Sequence, residues 1–185
     1  MQIRPAEPND APQISAIYNQ GIEERSSTFE TAPRNPADMI ERLQNADRYP
    51  VLVVLDERNK VVGWAGLSSY RARACYDGIA DFSIYMSREA RGQGLGKHLL
   101  QALLKEAEAR GFWKVLSRIF ASNQASLALC EASGFRQVGI YEKHACLDGQ
   151  WIDCVIVERL FVANQTTTSA PMAATKNEPG GLSGC

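Results

Sequence analysis

Histidine is scarce in this 185-residue chain, and there is no excess of charge of either sign. Only His98 and His144 occur, and the five cysteines (Cys75, Cys130, Cys146, Cys154 and Cys185) are odd in number and include no Cys-x-x-Cys pair. That spacing supports neither a zinc site nor a disulfide framework, so no metal is expected. Twenty Lys plus Arg against 21 Asp plus Glu leave a net charge of −1. This is no broad positive field for holding nucleic acid. No apolar run approaches the roughly 20 residues of a membrane span. The opening stretch carries Arg4, Glu7 and Asp10 where a signal peptide needs a greasy centre. A cytoplasmic protein that engages neither nucleic acid nor membrane is expected. What the chain does have is 45% hydrophobic and 22% charged content, enough for one domain with a sizeable core.

The core-forming part is expected to span residues 1–162. From Ala163 to Cys185 the aromatics disappear and Thr, Ser, Ala, Pro and Gly take over, a composition that reads as a flexible tail. Asp10 with Gln13 resembles an N-cap with a partial capping box, followed at helical spacing by Ile14, Ile17, Tyr18 and Ile22 to about Glu24. Asn35-Pro36 predicts a second helix, through Met39, Ile40 and Leu43 and ended by Tyr49-Pro50. Val51–Leu55 and Val61–Ser68 flank a charged turn and read as a hairpin, and Ala80–Met86 as a further strand. Leu99, Leu100, Leu103, Leu104 and Ala107 mark an amphipathic helix closed by Gly111. Then come a strand at Lys114–Phe120, a short helix at Gln124–Ser133 closed by Gly134, and a strand pair, Val138–Ala145 and Ile152–Phe161, across Asp148-Gly149. With a strand at the start, this order is an α/β plan in which helices interrupt a mixed sheet. Cys154 lies in an apolar run and reads as a small buried hydrophobe, with Cys146 a weaker case of the same.

Between a strand and the strongly periodic helix stands Arg91-Gly92-Gln93-Gly94-Leu95-Gly96-Lys97. Free N–H groups at a helix start favour an anion, so this loop is expected to cradle a phosphate. It is neither of the common nucleotide fingerprints. Lys97 stands where the dinucleotide motif needs its third glycine, and His98 follows Lys97 where a P-loop needs Ser or Thr. A glycine-rich turn without a ligand is the alternative, but glycines at alternate positions are costly unless backbone must be exposed.

Arg91-x-x-Gly94-x-Gly96 after a strand resembles the acetyl-CoA pyrophosphate motif of the GNAT acetyltransferase superfamily, and Asn123-x-x-Ser126-x-x-Leu129 with Gly134-Phe135 resembles its downstream cofactor-binding helix. Ile17-Tyr18-Asn19, Thr28-Phe29-Glu30-Thr31, Arg48-Tyr49-Pro50, Arg73-Ala74-Cys75-Tyr76 and Gly149-Gln150-Trp151-Ile152-Asp153 are similar to the phosphinothricin N-acetyltransferase group. The resemblance implies a mostly antiparallel seven-stranded sheet flanked by helices, with splayed central parallel strands. It also implies acetyl-CoA as cosubstrate, a homodimer, and a glutamate-like toxic amino acid as acceptor: phosphinothricin, methionine sulfoximine or sulfone, or arsinothricin.

By position, the resemblance assigns cofactor contacts to Ile84, Tyr85 and Met86 on one splayed strand, to the backbone of Arg91, Gly92, Gln93, Gly94, Leu95, Gly96 and Lys97, and to Asn123 and Ser126. Asn123 also reads as a helix N-cap, a role compatible with the first. The family's strand glutamate corresponds to Asp81, a general base acting through water or, alternatively, a strand-end acid paired with an arginine. Cys130 stands where relatives carry a Tyr or His proton donor, and is either that donor or a buried packing residue. Arg71 and Arg73 suit an anionic substrate end, with Phe29 and Tyr76 as walls; solvated charge and core packing are the alternatives. His144 is placed near the cleft and His98 on the helix surface. A protein or ribosomal N-terminal acetyltransferase and a non-catalytic acyl-CoA sensor are the competing functions.

Overall fold

The computed structural model describes residues 2–165. In chain order the elements are β1 (Gln2–Pro5), α1 (Ala11–Glu24), α2 (Pro36–Leu43), β2 (Val51–Leu55), β3 (Val61–Ser69), β4 (Ile79–Met86), α3 (Leu95–Ala109), β5 (Lys114–Phe120), α4 (Gln124–Glu131), β6 (Arg136–Leu147) and β7 (Gln150–Leu160). The seven strands form one sheet in the order β1-β2-β3-β4-β5-β7-β6. Every pairing is antiparallel except β4 with β5. No helix among the described residues is long and apolar enough to cross a membrane.

Local chemistry sets the helix starts. Asn35 caps α2 by accepting the Asp38 N–H at 3.1 Å, while the Asp38 carboxylate accepts the Asn35 N–H at 3.0 Å, a reciprocal box with Pro36 at the first helical position. α2 ends at Leu43, ahead of the expected stop at Tyr49-Pro50, and the chain turns on through Asn45–Tyr49. Asp10 differs from expectation more. Its side chain gives α1 no cap; it accepts the Glu7 N–H at 2.8 Å and both Arg4 guanidinium nitrogens at 2.7 and 2.8 Å. Arg4 outcompetes the helix because a charged fork bonds a carboxylate more strongly than one backbone N–H does. The Arg4 bond therefore holds the Asp10 carboxyl below its usual range against the opposing effect of burial.

Two helical layers cover the sheet. Leu99, Leu100, Leu103, Leu104 and Ala107 of α3 are at most 2% exposed and join Phe82, Val115 and Val157 in the larger core, while Ile14 and Ile17 of α1 pack with Met39, Val53 and Trp64 on the opposite face. Strand alternation then assigns the faces of β4. Phe82, Ile84 and Met86 turn toward α3, and Tyr85 toward α1 and Trp64, so Asp81 and Ser83 share the face of Tyr85. Cys154 is fully buried as expected, whereas Cys146 is exposed. Its position on the outermost strand β6 leaves that side chain without cover.

The described residues extend three positions past the expected boundary at Val162. Val162–Asn164 form a single 3-10 turn, and the Asn164 amide donates to the Glu108 and Phe112 carbonyls at 2.7 and 2.9 Å. Those bonds tie the turn to the last turn of α3 and to the segment that follows it. The remainder of the expected 163–185 tail lies outside the described residues.

Candidate active site

β4 and β5 pair only at Ile79–Asp81 with Lys114–Leu116. Beyond that point β4 keeps β3 as partner and β5 keeps β7, but each has lost the other. Backbone groups facing the gap are left unpaired, and such groups call for an external partner. The expected splay of two parallel strands is present.

The gap opens into one cleft with two halves. One, of about 320 Å³, is lined by Asp81, Ser83, Arg118, Phe29, Cys130 and His144 among others. The second, of about 400 Å³, is lined by Met86 and the loop residues Arg91, Gly92, Gly94, Leu95, Gly96 and Lys97. Ser27, Ile84, Tyr85, Asn123 and Ser126 line both halves.

At the loop end, Gly92 and Gly94 have φ of +74° and +77°, and a Cβ on either would meet nothing within 4 Å. These glycines are required by backbone conformation, not by crowding. Among the described residues, no acceptor pairs with the N–H groups of Arg91, Gly92, Gln93 or Gly94, and Leu95 and Gly96 open α3 with theirs free. The Lys97 N–H, expected to join them, instead closes on the Gly94 carbonyl at 3.1 Å, tightening the first turn in 3-10 fashion. Converging unpaired donors at a helix N-terminus fit a pyrophosphate. The side chains serve the scaffold. Arg91 donates to the Met86 carbonyl and pairs with Glu24 at 2.9 Å, and the Gln93 amide, outside the lining, donates to the Glu89 carbonyl. His98, exposed on α3, contacts the Gly94 carbonyl through Nδ1.

A strap formed by Ser26–Phe29 crosses the cleft and is tied down at two points. α1 ends with Arg25 in the left-handed region (φ +55°), and the Arg25 Nε pairs with Asp148 at 2.9 Å. The Asn123 amide donates to the Ser26 carbonyl at 3.2 Å, while its Oδ1 caps α4 by accepting the Ser126 N–H at 3.1 Å. Asn123 is thus the N-cap of α4 and also lines the cleft. On the far wall, β6 bulges between Tyr141 and Ala145. Lys143 at φ +47° donates its N–H to Asp153 at 2.7 Å, and His144 lines the cleft beside Phe29, 6.2 Å between ring centroids.

Asp81 sits where the strands part and is mostly buried. Burial pushes its carboxyl above the ordinary value; the neighbouring Arg118 guanidinium, bonded at 3.1 Å, pulls the other way. Asp81 thus pairs with an arginine, as one sequence reading expects, and at the same time faces the cleft. Cys130 is 2% exposed, and burial pushes its thiol up to about 12. A thiol so held stays protonated and is a far weaker acid than one near 8.5.

Three expected substrate contacts stand elsewhere. Arg71, Arg73 and Tyr76 lie on the β3–β4 connection and none lines either half of the cleft. Arg71 stacks over Tyr70 and Tyr76 at 5.1 and 5.7 Å, and Arg73 and Cys75 are exposed. Phe29 alone of that set reaches the cleft. Ser27, Thr28, Ser83 and Arg118 were not anticipated as site residues. Arg118 becomes readable only from the parallel register, two residues beyond the Asp81–Leu116 pair and on the same face.

Residues 18–135 match the Acetyltransferase (GNAT) family. A phosphinothricin N-acetyltransferase of Streptomyces viridochromogenes is 34% identical over 87% of this chain and 88% of its own length. An L-methionine sulfoximine/L-methionine sulfone acetyltransferase of Pseudomonas aeruginosa is 31% identical over 84% of this chain and 92% of its own. Among solved structures, a GNAT superfamily phosphinothricin acetyltransferase from Sinorhizobium meliloti in complex with AcCoA superposes with TM-score 0.84 at 33% identity, over 91% of this chain and 94% of that one. A ribosomal-protein-alanine N-acetyltransferase from Brucella melitensis superposes with TM-score 0.83 at 30% identity, over 87% of this chain and all of that one.

Proposed function

The chain belongs to the GNAT acetyltransferase family and is an acetyl-CoA-dependent N-acetyltransferase, and we propose that its acceptor is the α-amine of a glutamate-like toxic amino acid. The observation that carries this reading is the single cleft, with unpaired loop donors at one end and Asp81 at the other. When bound, acetyl-CoA supplies an electrophilic thioester carbonyl and a thiolate leaving group.

The residues of the chain supply the rest. The N–H groups from Arg91 to Gly96 hold the pyrophosphate. The gap-facing edge of β4, at the Ile84 backbone and the Met86 N–H, holds the arm together with that of β5, while Tyr85, whose backbone faces β3, contributes only its side chain to the lining. Asn123 and Ser126 stand at the junction of the two halves. Asp81, ionised and partly desolvated, accepts the proton of the incoming ammonium through a water. That proton must be lost from a group with an ordinary pKa of about 8 to 10 before attack. Cys130 packs the floor of the cleft. A thiol pushed up to about 12 has no driving force to protonate a CoA thiolate near 8.5.

The acceptor half favours a small molecule. It is bounded by the strap on one side and by the His144 bulge on the other, and holds about 320 Å³. The likeness to a ribosomal-protein-alanine N-acetyltransferase supports the second reading, a peptide acceptor. The purified protein with acetyl-CoA should release thiol selectively with phosphinothricin, methionine sulfoximine, methionine sulfone or arsinothricin, with matching product masses. Selective turnover of an alanine-terminated peptide in the same panel would move the function to protein acetylation. Acetyl-CoA binding without turnover of any amine would point to a sensor.

The same reading includes a second copy of the chain. Val138, Ile140, Tyr141 and Trp151 on β6 and β7 are 47%, 56%, 48% and 63% exposed, an apolar surface that a homodimer would cover. Light scattering should give twice the chain mass, and Trp151→Asp should shift it to one. A wild-type monomer would remove the dimer from the proposal.

A further inference from the structure

Behind the acceptor half lies a smaller cavity of about 190 Å³, reached past Tyr18 and Ser83, which line both. Arg42, from the last turn of α2, lines it with its guanidinium 5.1 Å from the Trp64 ring. Arg42 Nε and Nη2 are buried and have no hydrogen-bond partner among the described residues, and neither has the Nε1 of Trp64, which lines the same cavity.

The carboxylates nearby are already engaged. Glu30 accepts two bonds from Arg34, at 2.5 and 2.8 Å, and Asp38 is spent on the capping box of α2. Glu30 attracts Arg42 from the same lining but gives it no hydrogen bond. A largely buried guanidinium left so is expensive, while a water would satisfy one N–H without supplying charge. Burial accordingly pulls Arg42 below its ordinary value. Both unpartnered groups are donors, so what they lack is an acceptor, and for Arg42 a charged one.

We propose that Arg42 binds the acidic far end of the acceptor and sets the preference of the enzyme for anionic over neutral side chains. The proposal rests on the glutamate-like acceptor argued above. Its geometry is simple. Asp81 and Ser83 stand on one face of β4, two residues or roughly 6.6 Å apart along the strand. An acceptor whose amine lies at the Asp81 end and whose side chain extends along this face past Ser83 brings its far end to the cavity that Arg42 lines. Trp64, edge-on to Tyr18 at 5.9 Å, walls the passage with apolar surface.

The test compares phosphinothricin, whose far end is anionic, with L-methionine sulfone, whose far end is neutral. In Arg42→Gln the ratio of their kcat/KM values should fall about tenfold or more, carried by the KM for phosphinothricin. Arg42→Lys, which keeps the charge and loses the planar fork, should fall between, and serves if the Gln variant does not fold. An unchanged ratio in a folded variant overturns the inference and leaves the proposed function standing. If the wild type turns over no glutamate-like acceptor, the proposed function falls, and dimethylphosphinate titrated against Trp fluorescence decides the anion site alone. Saturable binding lost in Arg42→Gln keeps it; no binding, or equal binding in the variant, removes it.

Discussion

Asp81→Asn should lower kcat by about 100-fold or more, the usual contribution of a positioned general base. The amide keeps the size of the side chain and its place beside Arg118 but accepts no proton. Asp81→Glu, which restores the carboxylate at the cost of one extra methylene, should recover most of that loss; a merely structural acid would show the opposite order. The pH dependence follows from the surroundings. A base works only when ionised, so activity falls on the acid side as pH drops through the Asp81 pKa, which burial raises above the ordinary carboxylate value. Arg118 opposes that rise, so Arg118→Gln should move the acid limb to higher pH. The acceptor ammonium titrates on the same side, and the residual profile of Asp81→Asn isolates it. An Asp81→Asn enzyme with wild-type kcat and an unmoved acid limb would remove Asp81 from the chemistry.

Where neighbours in sequence decide the structure, the sequence is easy to read. Asn35-Pro36 starts a helix because the cap and its partner Asp38 are three residues apart, and the α3 stripe can be buried in only one way. Asp10 misleads because its partner, Arg4, lies on the preceding strand and no capping rule includes it. The site shows the same division. The glycine loop is local and legible, whereas Asp81–Arg118 depends on a parallel register between distant segments. His144 reaches the cleft through a bulge held by Asp153, ten residues away. Arg42 is hardest to see. A cation in the last turn of a helix reads as a solvated partner of the helix dipole, and only the packing of α2 over Trp64 turns it inward. Arg71 and Arg73 mislead conversely: their charge suits an acidic ligand, but the β3–β4 connection carries them away from the cleft lining.

The loop itself supports the second large effect. Gly92→Val with Gly94→Val should raise the KM for acetyl-CoA about 100-fold, since holding an L-residue left-handed costs about 1 to 2 kcal/mol at each position and every 1.4 kcal/mol is about tenfold. No clash contributes, because a Cβ at either glycine meets nothing within 4 Å. The free loop escapes the strain by relaxing to negative φ, which turns its N–H groups away from one another. Binding must then drive the loop back, so the penalty is paid on association. A truncated donor separates this from general damage. S-acetylpantetheine has no pyrophosphate for the loop to hold, so the variant should use it about as well as the wild type does, while its disadvantage with acetyl-CoA remains. Equal losses with both donors would mean that the glycines shape the cleft as a whole and that the phosphates are held by other groups.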